Sequence, residues 1–293
     1  MMAPLAFGAG LPPVPERSMR TLRNYIRPPR PLLACWRVFQ SNAFVFWKGQ
    51  TMHKSALIIG AGRGVGREVA LSLAGAGHTV TAVARTAADV ETLATENANI
   101  TARPADPSDA ETANSLIADT SPDIVAIVGG LRPRMAFLSE YDWDSFSAVW
   151  QNDTRMTFNL LKAALTRPLK PGSTVLTVSS GAALFGSPLS GGYAGAKRMQ
   201  HYASNYAQME SDKRDLGLTF TTLYPKQLIA GTNIAADASA AYGQTRGGTA
   251  ADFMSQWDQP LTPEKVAAAI TTLATTQQSG TYTVDGKGTA PLG

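Results

Sequence analysis

The feature that most constrains the fold is a short apolar run that enters a cluster of glycines and continues as an amphipathic helical pattern. The apolar run covers residues 55–59, and the helical pattern covers residues 67–74. The glycines between them are Gly60, Gly62, Gly64 and Gly66. A strand, a tight turn and a helix in this order form the repeating unit of parallel α/β sheets. Because glycine lets the backbone approach a ligand closely and the first helical turn has free N–H groups, the segment predicts a site for a phosphate-bearing ligand such as a dinucleotide.

The same alternation of apolar runs and helical patterns continues over residues 52–293. Strands are predicted at residues 55–59, 79–84, 98–102, 123–128, 173–178, 218–224 and 281–284, with helices between them. The pattern predicts an α/β fold, with a doubly wound, mostly parallel sheet of about seven strands and helices on both faces, that is, a Rossmann fold. These 242 residues are enough for one such domain and too few for a second, substrate-binding domain.

A serine, a tyrosine and a lysine in the middle of the chain predict a proton-transfer site. Ser180 follows the strand predicted at residues 173–178, and Tyr193 and Lys197 are four residues apart in a helical stretch. This spacing places the phenol and the ammonium on one helix face, one turn apart. A cation beside a phenol favours the phenolate form, which makes proton exchange near neutral pH more efficient. Taken alone, the Tyr/Lys spacing is more often that of a surface pair.

In their order along the chain, these features resemble the short-chain dehydrogenase/reductase family in its compact single-domain branch. The order is the glycine turn, an acidic residue at Asp106, a mid-chain helix, a serine and the Tyr/Lys pair, from about Met52 to the C-terminus. The resemblance implies an oxidoreductase that transfers hydride between a nicotinamide and a carbonyl or alcohol substrate. It implies that Ser180 binds the substrate oxygen, that Tyr193 exchanges a proton with it, and that Lys197 promotes tyrosine ionisation and holds the nicotinamide ribose.

The residue after the second predicted strand indicates which nicotinamide cofactor is used. NAD enzymes usually have Asp or Glu there for the adenosine ribose, whereas this chain has Arg85. A guanidinium at this point suits a 2′-phosphate, and Arg63 in the glycine turn would bind the same phosphate from the other side. We therefore expect NADP(H), the alternative being two solvated arginines.

The resemblance also implies a full set of cofactor-binding residues. They come from the glycine turn and from the segments that follow the later strands: Gly60, Gly62, Arg63, Gly64, Val65, Gly66, Arg85, Asp106, Gly129, Gly130, Tyr193, Lys197 and Pro225. By this resemblance Asp106 lies at the adenine, although an Asp before Pro-Ser is also an ordinary turn or N-cap signal.

Three segments depart from the family pattern. Residues 128–131 read Val-Gly-Gly-Leu where the family has Asn-Asn-Ala-Gly, and residues 224–226 read Tyr-Pro-Lys where it prefers Pro-Gly, which predicts an altered loop near the nicotinamide. The family's relay asparagine normally lies five residues before an aromatic residue, here Phe158. Counting back gives Asp153, with Asn152 one position away, about 100° around a regular helix. Both stay candidates, and an ionised Asp153 beside the lysine would change the proton relay.

The substrate is defined only in outline. A loop after the fourth predicted strand carries Arg132 and Arg134, which would either receive a carboxylate or phosphate or simply be solvated. Small residues between Ser180 and Tyr193 leave an open pocket, so we expect a ketone or aldehyde of moderate size, in the direction of reduction. Residues 227–259 are rich in Ala, Gly, Ser and Thr and lack a strong period. The resemblance implies that they form the substrate lid, which we expect to be mobile until a ligand orders it.

Residues 1–51 differ in composition from the rest of the chain. They carry seven basic residues and one acidic residue, whereas residues 52–293 carry 19 basic and 21 acidic ones. Their prolines argue against a helix, and no apolar run reaches the ~20 residues of a membrane span. The segment is either translated sequence upstream of a start at Met52, an Arg-rich targeting peptide, or a disordered basic arm. We favour the upstream start, because Met52 leads directly into the first strand.

The composition of the chain restricts the expected location of the protein and its expected partners. Cys35 is the single cysteine, so no intrachain disulfide can form, which fits a reducing compartment and an expected cytoplasmic location. The three histidines are too scattered to predict a metal site. The mildly acidic balance of residues 52–293 argues against a nucleic-acid partner, and the resemblance implies a homodimer or homotetramer built through the long central helices.

A second function stays open at this level. The departures from the family pattern are also typical of a non-catalytic NADP(H)-binding regulator or scaffold with the same fold. That alternative predicts cofactor binding without turnover of any carbonyl compound.

Overall fold

The computed structural model describes residues 53–292, so the predictions for residues 1–51 lie outside the described residues. One sheet holds eight strands. They are β1 Ser55–Ile59, β2 Thr79–Ala84, β3 Ile100–Pro104, β4 Ile124–Ile127, β5 Thr174–Val178, β6 Thr219–Pro225, β7 Gly280–Asp285 and β8 Gly288–Pro291. Their order in the sheet is β3-β2-β1-β4-β5-β6-β7-β8. The first seven strands are parallel, and β8 pairs antiparallel with β7.

Helices connect the parallel strands. They are α1 Gly64–Gly75, α2 Ala87–Glu96, α3 Ala110–Thr120, α4 Trp143–Val149, α5 Arg155–Thr166, α6 Ala182–Phe185, α7 Tyr193–Lys213, α8 Asn233–Thr245, α9 Ala250–Met254 and α10 Pro263–Thr275. A 3-10 turn covers Leu138–Glu140, and a π-helical turn, Trp150–Thr154, joins α4 to α5. None of the helices within residues 53–292 is long and apolar enough to cross a membrane.

Two apolar cores cover the two faces of the sheet. Ala56 and Ile58 of β1 point into a core that contains residues of α1, α2 and α10. Leu57 and Ile59 of the same strand point into the opposite core, which contains residues of α3, α5 and α7. Since both faces are buried, β1 and β4 are apolar at nearly every position. The doubly wound α/β fold predicted from the sequence is therefore confirmed.

The structure differs from the prediction in three places. The third strand begins at Ile100, because Asn97 Oδ1 accepts a hydrogen bond from Asn99 N (2.9 Å) and closes a turn before the strand. β8 was not predicted, since its residues are all exposed and leave no alternating pattern. Residues 227–259 contain α8 and α9, whose N-caps Thr232 and Thr249 accept hydrogen bonds from the first turn of each helix.

The strand order reverses between β1 and β4, the neighbours at the centre of the sheet. β1 leads on through its helix to β2 on one side, and the later strands are added on the other side. The carboxyl ends of strands on either side of such a switch point form a crevice in which ligands bind. The fold therefore places the glycine turn, which follows β1, at this crevice.

Candidate active site

The glycine turn brings two backbone segments closer than side chains would allow. Gly60 has φ +88, and a Cβ on it would lie 2.4 Å from Gly129 Cα in the loop after β4. A Cβ on Gly66 would lie 2.1 Å from the carbonyl oxygen of Gly60. Helix α1 begins within this turn, at Gly64. The side chain of its N-cap residue, Arg63, makes no capping hydrogen bond. The first N–H groups of α1 are therefore left for an anion.

A cleft of about 620 Å³ runs along the carboxyl ends of the strands. It contains every residue predicted to bind the cofactor: Gly60, Gly62, Arg63, Gly64, Val65, Gly66, Arg85, Asp106, Gly129, Gly130, Tyr193, Lys197 and Pro225. Ser180 and Asn152 line the same cleft, whereas Asp153 lies behind its wall. The fold thus gathers residues that are up to 165 positions apart, between Gly60 and Pro225, around one continuous space.

The Ser/Tyr/Lys set lies at one end of this cleft. Tyr193 is the first residue of α7, and Lys197 Nζ lies 5.6 Å from the centroid of its ring. Ser180 follows β5, and its Oγ accepts a hydrogen bond from Ala182 N (3.2 Å). Ser179 Oγ donates to the carbonyl oxygen of Lys197 (2.7 Å), which fixes the end of β5 against α7. The hydroxyl groups and the ammonium are therefore held by two rigid elements.

Asp153, and not Asn152, contacts the lysine. Its Oδ2 lies 3.1 Å from Lys197 Nζ, and both side chains are buried. Its Oδ1 accepts hydrogen bonds from Leu131 N (2.9 Å) and Asn152 Nδ2 (3.0 Å). Both candidates lie in the π-helical turn, whose wider winding changes the direction in which each side chain points. A Cβ on Gly130 would lie 2.5 Å from Asp153 Oδ2, so only glycine leaves room for this ion pair.

The electrostatics of the pair follow from its burial. Burial by itself lowers the pKa of Lys197, but the Asp153 carboxylate and, to a smaller extent, Tyr193 raise the pKa above its ordinary value. The lysine is therefore an ammonium at neutral pH. Gln200 holds the backbone of Asp153 in place. Its Nε2 donates to Thr157 Oγ1 (2.7 Å) and to the carbonyl oxygen of Asp153 (3.3 Å).

The other end of the cleft carries the two arginines proposed for a 2′-phosphate. Arg63 and Arg85 line it with exposed side chains. Neither forms an ion pair with an acidic residue within the described range 53–292. Asp106 also lines the cleft, where its Oδ1 accepts from Ser108 N (3.0 Å), while the N-cap of α3 is Asp109.

Several polar residues of the cleft were not predicted from the sequence, and Asp89 and Thr232 are two of them. Asp89 in the first turn of α2 lies beneath the glycine turn, where a Cβ on Gly62 would be 3.1 Å from its Oδ2. Thr232, the N-cap of α8, faces Gly64 from the other side of the cleft. The sequence contained a signal for Asp89, because this residue lies four positions after Arg85 at a helix N-terminus. Thr232 had none, because the helix it caps was itself missed.

The segment predicted to be a lid is tied to the rest of the cleft. Asp237 of α8 forms an ion pair with Arg132 from the loop after β4. Tyr242, on the same helix, has its hydroxyl 2.8 Å from Ser187 Oγ, in the loop that leads to α7. Arg134 lies over the ring of Tyr141, at 5.4 Å from its centroid. The charge of Arg132 is thus already offset by a protein carboxylate.

Doubly wound sheets that open a glycine turn onto their switch point constitute the Rossmann class of dinucleotide-binding folds, and this fold and cleft belong to that class. The family model described as short chain dehydrogenase matches residues 54–242. The chain belongs to the short chain dehydrogenase family, whose members are oxidoreductases that use nicotinamide cofactors.

Two further comparisons are consistent with this membership. D-erythrulose reductase of Gallus gallus is 56% identical to this chain over 43 residues, which are 15% of this chain and 18% of that protein. The match therefore spans about a fifth of the relative. A crystal structure of a short chain dehydrogenase from Mycobacterium avium has a TM-score of 0.64 at 17% identity, covering 82% of this chain and 84% of that one. At that identity, the likeness concerns the fold.

Proposed function

We propose that this protein is an NADP(H)-dependent oxidoreductase that transfers hydride between the nicotinamide and a carbonyl or alcohol group, with Ser180, Tyr193 and Lys197 handling the proton. The observation that carries the proposal is the position of these three residues in the cleft that the glycine turn opens. Hydride transfer to a carbonyl generates negative charge on its oxygen, which must be stabilised and protonated. A hydroxyl, a phenol and a fixed ammonium are suited to those tasks.

The cleft fits a dinucleotide on two grounds. The close approach of Gly60 to Gly129, which a Cβ would prevent, leaves a cradle of backbone for a pyrophosphate at the uncapped N-terminus of α1. Arg63 and Arg85 supply positive charge at the adenosine end and support a 2′-phosphate, hence NADP(H). When bound, the cofactor would supply or accept the hydride.

The residues at the other end would act on the substrate oxygen. In this proposal Ser180 donates a hydrogen bond to it, and Tyr193 gives up its phenolic proton as the oxygen becomes negative. Lys197 keeps its positive charge throughout, because its pKa lies above the ordinary value. Its ammonium is near enough to the phenol ring to stabilise the negative charge left on the tyrosine.

A carbonyl compound of moderate size, acted on in the direction of reduction, is the substrate class we favour. The relative named D-erythrulose reductase is, by its name, a reductase, and the match to it supports this direction. The pairing of Arg132 with Asp237 leaves less free positive charge at the cleft for a substrate anion. We therefore place uncharged ketones and aldehydes ahead of carboxylates and phosphates.

The test is oxidation of NADPH and NADH by the full chain with a panel of ketones, aldehydes and quinones. Turnover with NADPH in preference to NADH is the expected result. Binding of NADPH without turnover of any compound would favour the alternative, a non-catalytic NADP(H)-binding regulator or scaffold, for which the carboxylate beside Lys197 is the supporting observation. Failure to bind either nucleotide would refute both.

Reversing the charge of Arg85 is expected to raise the KM for NADPH by about 10-fold to 100-fold, which is the value of one charge-assisted hydrogen bond to a phosphate. The KM for NADH should stay within a few-fold, because NADH has no 2′-phosphate. The measurement is the KM for both cofactors with Arg85→Asp. Arg167→Asp, an exposed position at the end of α5, is the matched control. An equal loss for both cofactors would mean that Arg85 does not read the 2′-phosphate.

A homodimer or homotetramer is supported by exposed apolar side chains along the central helices. Phe158 of α5 is 55% exposed, and Tyr206 and Met209 of α7 are 59% and 68% exposed. Large exposed apolar surfaces mark interaction sites. Light scattering should give a mass of two or four chains, and Phe158→Glu with Met209→Glu should reduce it to one. A monomeric wild type would contradict the proposal. The cytoplasmic location remains an expectation that is based on the single cysteine.

A further inference from the structure

The cation next to the proposed acid already has a counter-ion inside the protein. Lys197 Nζ lies 3.1 Å from Asp153 Oδ2, with side-chain exposures of 6% and 0%. The same ammonium lies 5.6 Å from the centroid of the Tyr193 ring. Tyr193 therefore experiences a buried ion pair and not an isolated positive charge.

The site is constructed to hold that carboxylate. Two N–H donors, one from the Leu131 backbone and one from the Asn152 amide, bind its Oδ1. Its Oδ2 faces the ammonium in a space that exists because residue 130 is a glycine. Two N–H donors and an ammonium are the partners that an ionised carboxylate takes in a protein interior.

From this arrangement we infer that Asp153 sets the pH dependence of proton transfer by compensating the charge of Lys197. If the carboxylate were removed, Tyr193 would stand beside an uncompensated ammonium, and the pH dependence of proton transfer should move to lower pH. Asp153 is a positioning residue in this account, because it acts on Tyr193 through the lysine. The inference rests on the proposed role of Tyr193 as proton donor.

The physical reason is that a single charge and an ion pair produce electric fields that depend differently on distance. An isolated charge acts on a neighbour as 1/r, whereas two opposite charges 3.1 Å apart partly cancel at the same distance. An opposite charge within about 4–6 Å shifts an ionisation equilibrium by about 1–3 pH units. Partial cancellation therefore removes a shift on the order of one pH unit.

The other groups around Lys197 add no positive charge that would offset the compensation by Asp153. The end of β5 presents Ser179 and Ser180, which are neutral, and the loop after β4 presents Gly130 and a backbone N–H. Farther along α7, Arg198 lies over the ring of Tyr202, and His201 packs against Tyr202 and Tyr224. At the mouth of the cleft, Arg132 is paired with Asp237.

The test compares the wild type with Asp153→Asn, which keeps the shape of the side chain and removes its charge. In the profile of kcat/KM for carbonyl reduction against pH, the alkaline limb is expected to move about one unit lower in the variant. Asp119→Asn, which removes a carboxylate from an exposed ion pair on α3, is the matched control and should leave the profile unchanged. Circular dichroism checks that each variant is folded.

A second measurement does not depend on turnover. The ultraviolet absorbance of phenolate is followed against pH, and the curve of Tyr193→Phe is subtracted to isolate Tyr193. The midpoint should lie about one unit lower when Asp153→Asn is present in both proteins. A lower midpoint without any turnover would uphold the charge compensation by Asp153 and refute the proposed function. An unmoved midpoint, or an unmoved pH profile in an active enzyme, would overturn the inference and leave the function standing.

Discussion

Tyr193→Phe is expected to lower kcat/KM for carbonyl reduction by about 10²-fold to 10⁴-fold, the usual contribution of a general acid. The substitution removes one hydroxyl and keeps the ring, which packs with Val149 and Ala196 in a small buried cluster. The fold should therefore be preserved. Because the phenol is proposed to act on the substrate oxygen, the Kd for NADPH should change by no more than a few-fold. Steady-state kinetics and a fluorescence titration with NADPH measure the two quantities.

The control for this variant is Tyr282→Phe. The hydroxyl of Tyr282 donates to the carbonyl oxygen of Ser279 near β7, away from the cleft residues, and its loss should leave the rate unchanged. A Tyr193→Phe enzyme that retains more than about a tenth of the wild-type rate would mean that another group supplies the proton.

Lys197→Met is expected to lower the free energy of unfolding by about 3–5 kcal/mol, the usual cost of breaking a buried ion pair. The reason is that Asp153, which is fully buried, would lose its counter-ion. The measurement is chemical denaturation of the protein without added nucleotide. For comparison, Lys170→Met removes a 65% exposed lysine from its pair with Asp123 and should cost about 0–1 kcal/mol.

A double variant separates charge from packing in this result. Asp153→Leu together with Lys197→Met replaces both charges by apolar groups and should recover most of the lost stability, while the enzyme stays inactive. A single Lys197→Met variant as stable as the wild type would mean that breaking this buried ion pair costs little, and it would contradict the prediction.

The sequence determined the central architecture, for physical reasons that are local. The strands β1 and β2 were predicted with their observed bounds. In β1 the reason is that a strand buried on both faces has an apolar run, here Ala56–Ile59. The glycine turn could be predicted because a close approach of two backbone segments requires a residue without a side chain. The helical spacing of Tyr193 and Lys197 is likewise a property of one element, α7.

Strands and helices that are stabilised by contacts with distant parts of the chain were predicted less well from the sequence. The strand β8 exists only as the antiparallel partner of β7 and has no buried face of its own. The helices α8 and α9 have little apolar period, and the ion pair that ties α8 over the cleft joins Arg132 to Asp237, which are 105 positions apart. A pattern search along the chain contains no information on such a distant partner.

The choice between Asn152 and Asp153 shows most directly where the sequence ends and the tertiary structure takes over. Counting residues on a regular helix named two neighbours and left both open. The π-helical turn, the space left by Gly130 and the buried ammonium of Lys197 together direct Asp153 to the lysine. The sequence by itself determined that a polar side chain would stand in this turn. Only the tertiary structure decided which one, because a carboxylate is stable in a dry interior only where the fold brings it a counter-ion.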